Sequence, residues 1–187
     1  MNDIEKKILK IADGLIEPEQ TDFVTQEVEE ALNYQVANEL HAAYKYLAMG
    51  AWFSNKGLDG FGIWFKRQAF EEIRHAEKVF DFLIKSGSTT SLLPDVPSPA
   101  FQAEKAIEVV GMALEHEKLI TKQWYEIMEL VSTSGNYAAK RLCQDFLNEQ
   151  MEEEDLFVSL FQKTNLADEE EGLLVLDMAL AKDVEEN

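Results

Sequence analysis

Acidic side chains interrupt the apolar faces of four long segments in this chain of 187 residues. In each segment the apolar residues recur at steps of three and four, which is the spacing of one face of an α-helix. Near the middle of each face, polar residues replace apolar ones. These residues are Glu39, Glu72, His75, Glu117, Gln150 and Glu153. Acids belong in a packed interior only where something neutralises them, so these positions are candidates for chemistry.

The spacing predicts that the polar residues share one level of the fold. The five Glu and Gln residues among them lie 15 to 18 residues from the nearer of two turns, at Asn55 and Gly135. An α-helix rises about 1.5 Å per residue, so each of them lies roughly 24 Å from its turn. If the four segments are helices of one bundle, these side chains converge.

A layer of four carboxylates and one imidazole would raise the pKa of each acid and destabilise the fold unless cations neutralised it. Two divalent ions would do so. Oxygen ligands with one imidazole nitrogen, including Glu72 and His75 one turn apart, are typical of a carboxylate di-iron site rather than a thiolate zinc site. The alternative is a hydrogen-bonded polar layer that fixes the helix register.

Other residues near this layer allow two interpretations each. Tyr46 lies two turns after Glu39 on the same face, so it either reaches the layer or is a core tyrosine with a satisfied hydroxyl group. Trp124 is predicted to pack in the core. His41 and His116 fall off the apolar faces, and an exposed position is expected for them.

A second set of acids adjoins the first in sequence, and it consists of Glu71, Glu149 and Glu152. Acids in a run on a helix usually form a solvated face. Together with Glu153 these three could instead line an accessory cation position.

The elements that must position these residues are helices. They are predicted over Thr21–Ser54, Gly60–Lys85, Gln102–Thr133, Tyr137–Lys163 and, in a shorter form, Leu166–Val184. The proline-containing stretch Ser86–Ala100 is the one long connection. Two helical hairpins joined by one long crossover predict an all-α four-helix bundle with a short fifth helix over residues 21–187. Residues 1–20 are predicted to be an N-terminal extension, either a short amphipathic helix or a frayed terminus.

Composition limits the classes of partner. The chain has 17 Lys and Arg against 36 Asp and Glu, a formal charge of −19, which disfavours nucleic acid and anionic membranes. Its single cysteine, Cys143, rules out an intrachain disulfide and fits a reducing cytoplasm. No secretory signal and no apolar run of membrane-spanning length is apparent, so we expect a soluble cytoplasmic protein.

These motifs resemble those of non-haem ferritins of the bacterial type, over roughly Val24 to Val184. The matching residues are Asn38-Glu39-Leu40 with Tyr46, the run from Phe65 to Glu77, Glu117, Leu147 to Gln150, and Glu152-Glu153. The resemblance implies a ferroxidase, which oxidises Fe(II) with dioxygen or peroxide. It also implies storage of the ferric mineral inside a hollow shell of 24 identical subunits.

The resemblance also implies roles for individual residues. One iron would be held by Glu39, Glu72 and His75, and the other by Glu72, Glu117 and Glu153. Gln150 would be a nearby hydrogen-bonding residue, and a third iron would be held by Glu71, Glu149, Glu152 and Glu153. Ile73 stands where the similar bacterioferritins carry a haem-binding methionine, so no haem is expected.

Two alternatives lie within the same fold class. A mini-ferritin-like shell that protects DNA is opposed by the charge of −19 and by the fifth helix after Leu166. Another di-iron carboxylate oxidase or peroxidase, of the rubrerythrin kind, would need a cysteine-rich module, and one cysteine cannot supply it.

Overall fold

The computed structural model describes residues 24–88, 93–167 and 170–186, together with Asp3, Glu5, Lys6 and Lys10. From Val24 onward, the described residues form five α-helices and no strand. They are α1 (Gln26–Asn55), α2 (Asp59–Lys85), α3 (Ala106–Ser134), α4 (Tyr137–Leu166) and α5 (Glu170–Glu186). The predicted all-α bundle with a fifth helix is therefore confirmed. The four described positions near the N-terminus are helical, and the rest of the predicted extension, residues 1–20, lies outside the described residues.

Local signals set the helix ends within a few residues of the predicted positions. The side chain of Thr25 caps α1 by accepting a hydrogen bond from the backbone N–H of Val28, and the side chain of Asn136 caps α4 in the same way. Gly135 ends α3 with a φ of 71°, a left-handed conformation that glycine adopts without a steric penalty.

The start of α3 differs from the prediction by four residues. Glu108 Oε2 accepts hydrogen bonds from the backbone N–H groups of Glu104 (2.8 Å) and Lys105 (3.2 Å). A carboxylate that satisfies these N–H groups marks the end of the connection, so the helix begins at Ala106 rather than at Gln102.

The helices pack as two hairpins. Helix α1 packs along α2, α3 packs along α4, and α1 also packs against α3. The backbones of α2 and α4 approach one another less closely. The long connection after Lys85 carries the chain from the first hairpin to the second. No helix in the described part of the chain is long and apolar enough to cross a membrane.

Helix α5 packs chiefly against the start of α2. Asp177 Oδ1 accepts a hydrogen bond of 2.8 Å from the backbone N–H of Phe61, so a side chain of α5 caps the first turn of α2. A Cβ atom at Gly60 would lie 1.9 Å from the carbonyl oxygen of Asp177, so no residue larger than glycine fits between these backbones.

The interior consists of two apolar clusters with a polar layer between them. One cluster includes Phe53, Phe61 and Phe157 and lies toward α5, and the other includes Leu32 and Trp124 and lies toward the opposite end. The apolar faces indicated by the three- and four-residue spacing of the four long helices are buried, together with the polar residues that interrupt them. Three positions on these faces are only half-buried, and they are His75, Phe82 and Glu153. Two of these three belong to the polar layer.

Candidate metal centre

The middle of the bundle brings together side chains from all four long helices. Candidate ligand atoms of Glu39 (α1), Glu72 and His75 (α2) lie within 4.8 Å of one another. Those of Glu72, Glu117 (α3) and Glu153 (α4) do the same. These are the two such groups among the described residues, and Glu72 belongs to both. The geometry therefore suits two cations bridged by one carboxylate.

The four acids of the layer form no ion pair with a lysine or arginine in the described part of the chain. Glu39 and Glu117 are fully buried and Glu72 is almost so. Among the described residues, no lysine or arginine forms an ion pair with any of them or with Glu153; the one ion-pair partner is His75. Buried carboxylates without a counter-charge are unfavourable, and a bound cation would relieve this.

Burial is the main cause of the raised pKa values of these acids. Loss of water raises the pKa of Glu39 to about 7, and the charge of Glu117 adds to the rise while the hydrogen bond from Gln35 opposes it. Burial also raises the pKa of Glu153 to about 9 and holds that of Glu72 well above its usual range. Without a metal the layer retains protons at neutral pH, and divalent cations would displace them.

Glu39 is fixed through one of its two oxygens. Gln35 Nε2 donates to Glu39 Oε1 at 2.8 Å, and Trp124 Nε1 donates to the same oxygen at 3.1 Å. Glu39 Oε2 and Glu153 Oε2 are buried and have no hydrogen-bond partner. Buried oxygens without a hydrogen-bond partner fit a cation, so the donor set suits a metal ion.

Glu117 is fixed through both of its oxygens. Tyr46 donates its hydroxyl hydrogen to Glu117 Oε1, and Gln150 Nε2 donates to Glu117 Oε2 at 3.1 Å. Gln150 Nε2 also lies 3.4 Å from Thr121 Oγ1. Burial and the neighbouring acids raise the pKa of Tyr46 well above its usual value, so the phenol stays protonated and keeps donating. Both interpretations of Tyr46 therefore hold. Its side chain reaches the polar layer, and its hydroxyl group has a hydrogen-bond partner.

His75 lies at the edge of the layer. Its Nδ1 is 3.3 Å from Glu72 Oε2 and its Nε2 is 3.5 Å from Glu153 Oε1. Burial lowers the pKa of His75, which favours the neutral imidazole that binds metals. The side chains of His75 and Glu153 are 13% and 15% exposed, so the centre opens between α2 and α4.

The second set of acids is not brought together in the same way. Glu149 accepts hydrogen bonds at 3.0 and 2.9 Å from Lys78 Nζ through both of its oxygens. Glu71 lies 3.6 Å from Arg67 and 3.3 Å from Arg74. Glu152 is exposed. None of the three belongs to a group of candidate ligand atoms within 4.8 Å of one another among the described residues.

The structure adds two contacts that the sequence patterns did not indicate. Trp124 does pack, with its ring stacked 4.0 Å from that of Phe146, but its indole N–H also holds Glu39. Gln35 interrupts the apolar face of α1 one turn before Glu39, a signal that could have identified it as a partner of that acid.

The expectation of an exposed His116 is wrong. The side chain is buried where α3 meets α1, and Lys45 Nζ lies 3.2 Å from its Nδ1. The half-buried His41 lies against it, with ring centroids 5.8 Å apart. Burial and the charge of Lys45 lower the pKa of His116 to about 3, so the ring is neutral. The contact between α1 and α3 covers more of α3 than its predicted buried face. His116 lies beside that face and is therefore covered as well.

A four-helix bundle with two adjoining groups of candidate ligands that share a glutamate is the arrangement typical of carboxylate dimetal proteins. Residues 29–167 match the ferritin-like domain of the ferritin family. The chain belongs to the ferritin family.

Similar proteins agree with this assignment. The chain is 32% identical over 159 residues to a probable bacterial non-heme ferritin-like protein of Haemophilus influenzae, covering 84% of this chain and 96% of that protein. It is 33% identical over 156 residues to a bacterial non-heme ferritin of Escherichia coli O157:H7, covering 83% and 94%. The crystal structure of an open pore ferritin from the hyperthermophilic archaeon Archaeoglobus fulgidus matches with a TM-score of 0.81 and 33% identity, covering 84% of this chain and 98% of that one. The predicted resemblance to bacterial non-haem ferritins is confirmed.

Proposed function

We propose that this protein is a ferroxidase that oxidises Fe(II) at the centre in the bundle and stores the ferric product. Membership of the ferritin family supports iron storage. The observation that carries the ferroxidase proposal is the pair of ligand groups sharing Glu72, in which no lysine or arginine of the described residues forms an ion pair with the acids.

In this proposal Fe(II) is the substrate and the side chains hold two of these ions close together. Glu39, Glu72 and His75 bind one ion, and Glu72, Glu117 and Glu153 bind the other. Each Fe(II) loses one electron, and dioxygen takes up two electrons and two protons to leave as hydrogen peroxide. With peroxide as the oxidant, the two electrons and two protons yield water. Anionic oxygen ligands favour the more highly charged Fe(III), which assists the oxidation.

The residues around the ligands have positioning roles in this scheme. Tyr46 and Gln150 hold Glu117 through its two oxygens, while Gln35 and Trp124 hold one oxygen of Glu39 and leave the other free. Fixed carboxylates bind metals more tightly because less side-chain motion is lost on binding. The opening between α2 and α4 supplies access for iron and oxidant.

We also propose a third iron position at this opening, formed by Glu71, Glu149, Glu152 and Glu153. The support for this position is that the other three acids lie within four residues of Glu72 or Glu153 in the sequence. Glu153 itself lies at the exposed edge of the centre. The arginines beside Glu71 and the lysine on Glu149 must then give way to the cation.

The proposed storage compartment requires assembly, and we propose a shell of 24 copies in the cytoplasm, without haem. Large apolar side chains remain exposed along the α1–α2 hairpin and on α5, and contacts between copies would cover them. They include Tyr34, Tyr44, Ile63, Phe70, Phe80 and Ile84 on the hairpin, and Leu174, Val175 and Met178 on α5.

Anaerobic Fe(II) titration followed by addition of oxygen, monitored optically, tests the ferroxidase proposal. We expect two tightly bound Fe(II) per chain and their rapid oxidation. The double variant Glu72→Ala/His75→Ala should assemble but lose both. Glu126→Ala, which removes an exposed acid of α3, is the control and should behave like the unmodified protein. Rapid oxidation by the double variant at the unmodified rate would overturn the assignment of the site.

A further inference from the structure

The opening of the metal centre is crossed by two pairs of side chains. His75 of α2 meets Glu153 of α4, with 3.5 Å between His75 Nε2 and Glu153 Oε1. One turn further out along α2, Lys78 meets Glu149 of α4. The first pair belongs to the proposed ligand set. The second pair adjoins it on the same two helices and is more exposed, with side-chain exposures of 37% and 42%.

Lys78 is held in this place by two contacts. Its Nζ atom lies 3.0 and 2.9 Å from the two oxygens of Glu149, and 4.5 Å from the centroid of the Phe146 ring. The ring of Phe146 also packs edge-on against His75, with 5.6 Å between ring centroids. An ammonium group between a carboxylate and an aromatic face is favourably placed. Lys78 is thus packed onto the wall of the centre rather than extended into solvent.

A positive charge in this position competes directly with a metal ion. Both Glu149 oxygens, which a cation would need, already accept hydrogen bonds from the ammonium group. A divalent ion placed between Glu149 and Glu153 would also lie close to the charge of Lys78 and be repelled by it. The inner acids have no such competitor, because no lysine or arginine of the described residues forms an ion pair with them.

We propose that Lys78 weakens the third cation position at the opening: its ammonium group occupies both oxygens of Glu149, so a third divalent cation binds there only by displacing it. This inference rests on the proposed function, because the cations concerned are the Fe(II) substrate. Two inner ions bind without displacing any basic side chain. A third ion binds only after Lys78 has left Glu149.

The test is anaerobic Fe(II) binding to the full-length assembled protein, measured by calorimetry. Lys78→Met keeps the apolar length of the side chain and removes the charge, so it should bind a third Fe(II) per chain at least ~10-fold more tightly than the unmodified protein. Lys78→Arg keeps the charge and should resemble the unmodified protein. Lys122→Met is the matched control, since it removes a lysine paired with a glutamate on α3, away from the opening.

The outcomes separate this inference from the proposed function. If the unmodified protein fails to bind two Fe(II), the proposed function fails, and the role of Lys78 fails with it. If it binds two and Lys78→Met binds the third ion no more tightly, only the inference about Lys78 is overturned. An equal gain in Lys122→Met, or in Lys78→Arg, would also overturn it, because net charge or loss of packing rather than the ammonium on Glu149 would then explain the effect.

Discussion

Glutamates one to four residues apart on the same helices have opposite surroundings in this protein. Glu72 and Glu153 face the interior, where their pKa values are raised and no lysine or arginine of the described residues pairs with them. Glu71 and Glu149 are half-buried on the same helices and pair with Arg67, Arg74 and Lys78. All four residues are glutamates, so the difference in their surroundings comes from burial and from the partners that the fold supplies.

Burial and the lack of a basic partner make an acidic side chain suited to binding a metal ion. An acid at the surface finds water or a basic side chain, and it has little to gain from a metal ion. An acid enclosed with other acids has neither, so a divalent cation is its most favourable partner. The unpartnered oxygens of Glu39 and Glu153 mark the inner set as the one that is incomplete without a ligand.

Two single variants, one lacking an inner acid and one lacking an outer acid, should differ most strongly. Glu117→Ala takes away a proposed ligand of the second iron and should slow oxidation of the first two Fe(II) by ~100-fold or more. Glu152→Ala removes an exposed acid of α4 and should change the initial rate by less than about threefold. Stopped-flow absorbance after mixing with aerated buffer measures both rates. Similar losses in the two variants would erase the distinction between inner and outer acids.

The stability of the metal-free protein should depend on pH through the inner acids. Unfolded glutamates ionise near pH 4.5, whereas the folded pKa is about 7 for Glu39 and about 9 for Glu153. Between these values the folded chain holds more protons than the unfolded chain, so stability is greatest at the acidic end and falls as the pH rises. We expect the melting temperature to drop by roughly 5 °C or more from pH 5 to pH 9.

Thermal unfolding of the metal-free protein across this pH range checks the expectation. In Glu39→Gln/Glu153→Gln the dependence should flatten, because the two groups no longer titrate. Glu126→Gln, at an exposed position, should keep the slope of the unmodified protein. A melting temperature that rises toward pH 9 would contradict the raised pKa values of the inner acids.

A smaller effect is expected when only the support of an inner acid is removed. Trp124→Phe preserves the stacking on Phe146 but deletes the hydrogen bond to Glu39 Oε1. Because a hydrogen bond to a charged group contributes about 1.5 to 3 kcal/mol, Fe(II) affinity at the Glu39 position should fall by ~10-fold. Anaerobic calorimetry measures this change. Tyr125→Phe, an exposed position beside Trp124, should leave both affinities unchanged.

The smallest effect concerns a buried acid whose partner is the backbone. Asp177 accepts its hydrogen bond from Phe61 N–H and needs no cation. Asp177→Ala should cost about 1 kcal/mol and lower the melting temperature by roughly 3 °C, with Fe(II) binding unchanged. Glu171→Ala, an exposed acid on the same helix, is the control for differential scanning calorimetry. A loss of Fe(II) binding in Asp177→Ala would show that α5 supports the centre as well as the bundle.

The helices and the convergence of the inner acids could be predicted because both depend on periodicity. Steps of three and four residues place Glu39, Glu72 and Glu117 on buried faces, and the distance of each from its turn places them at one level. Both quantities are properties of the backbone alone. That is why the inferred layer agrees with the geometry of the two ligand groups.

The side-chain partners could not be predicted in the same way. Periodicity assigns a face to Trp124 but not the direction of its indole N–H, and it gives no reason to pair Lys45 with His116 or Lys78 with Glu149. These contacts join helices that are far apart in sequence. They depend on the crossing distance of the helices and on rotamers chosen during packing.

The five helices, the two hairpins and the level at which the acids meet follow from the amino-acid sequence, because hydrophobic spacing and turn residues act locally. Only the tertiary structure decided which acids remain without a partner. Burial and the proximity of a basic side chain are properties of helices already packed together. For the same reason the fold, rather than the acidic composition, separates Glu153, with its free oxygen, from Glu149, which Lys78 holds.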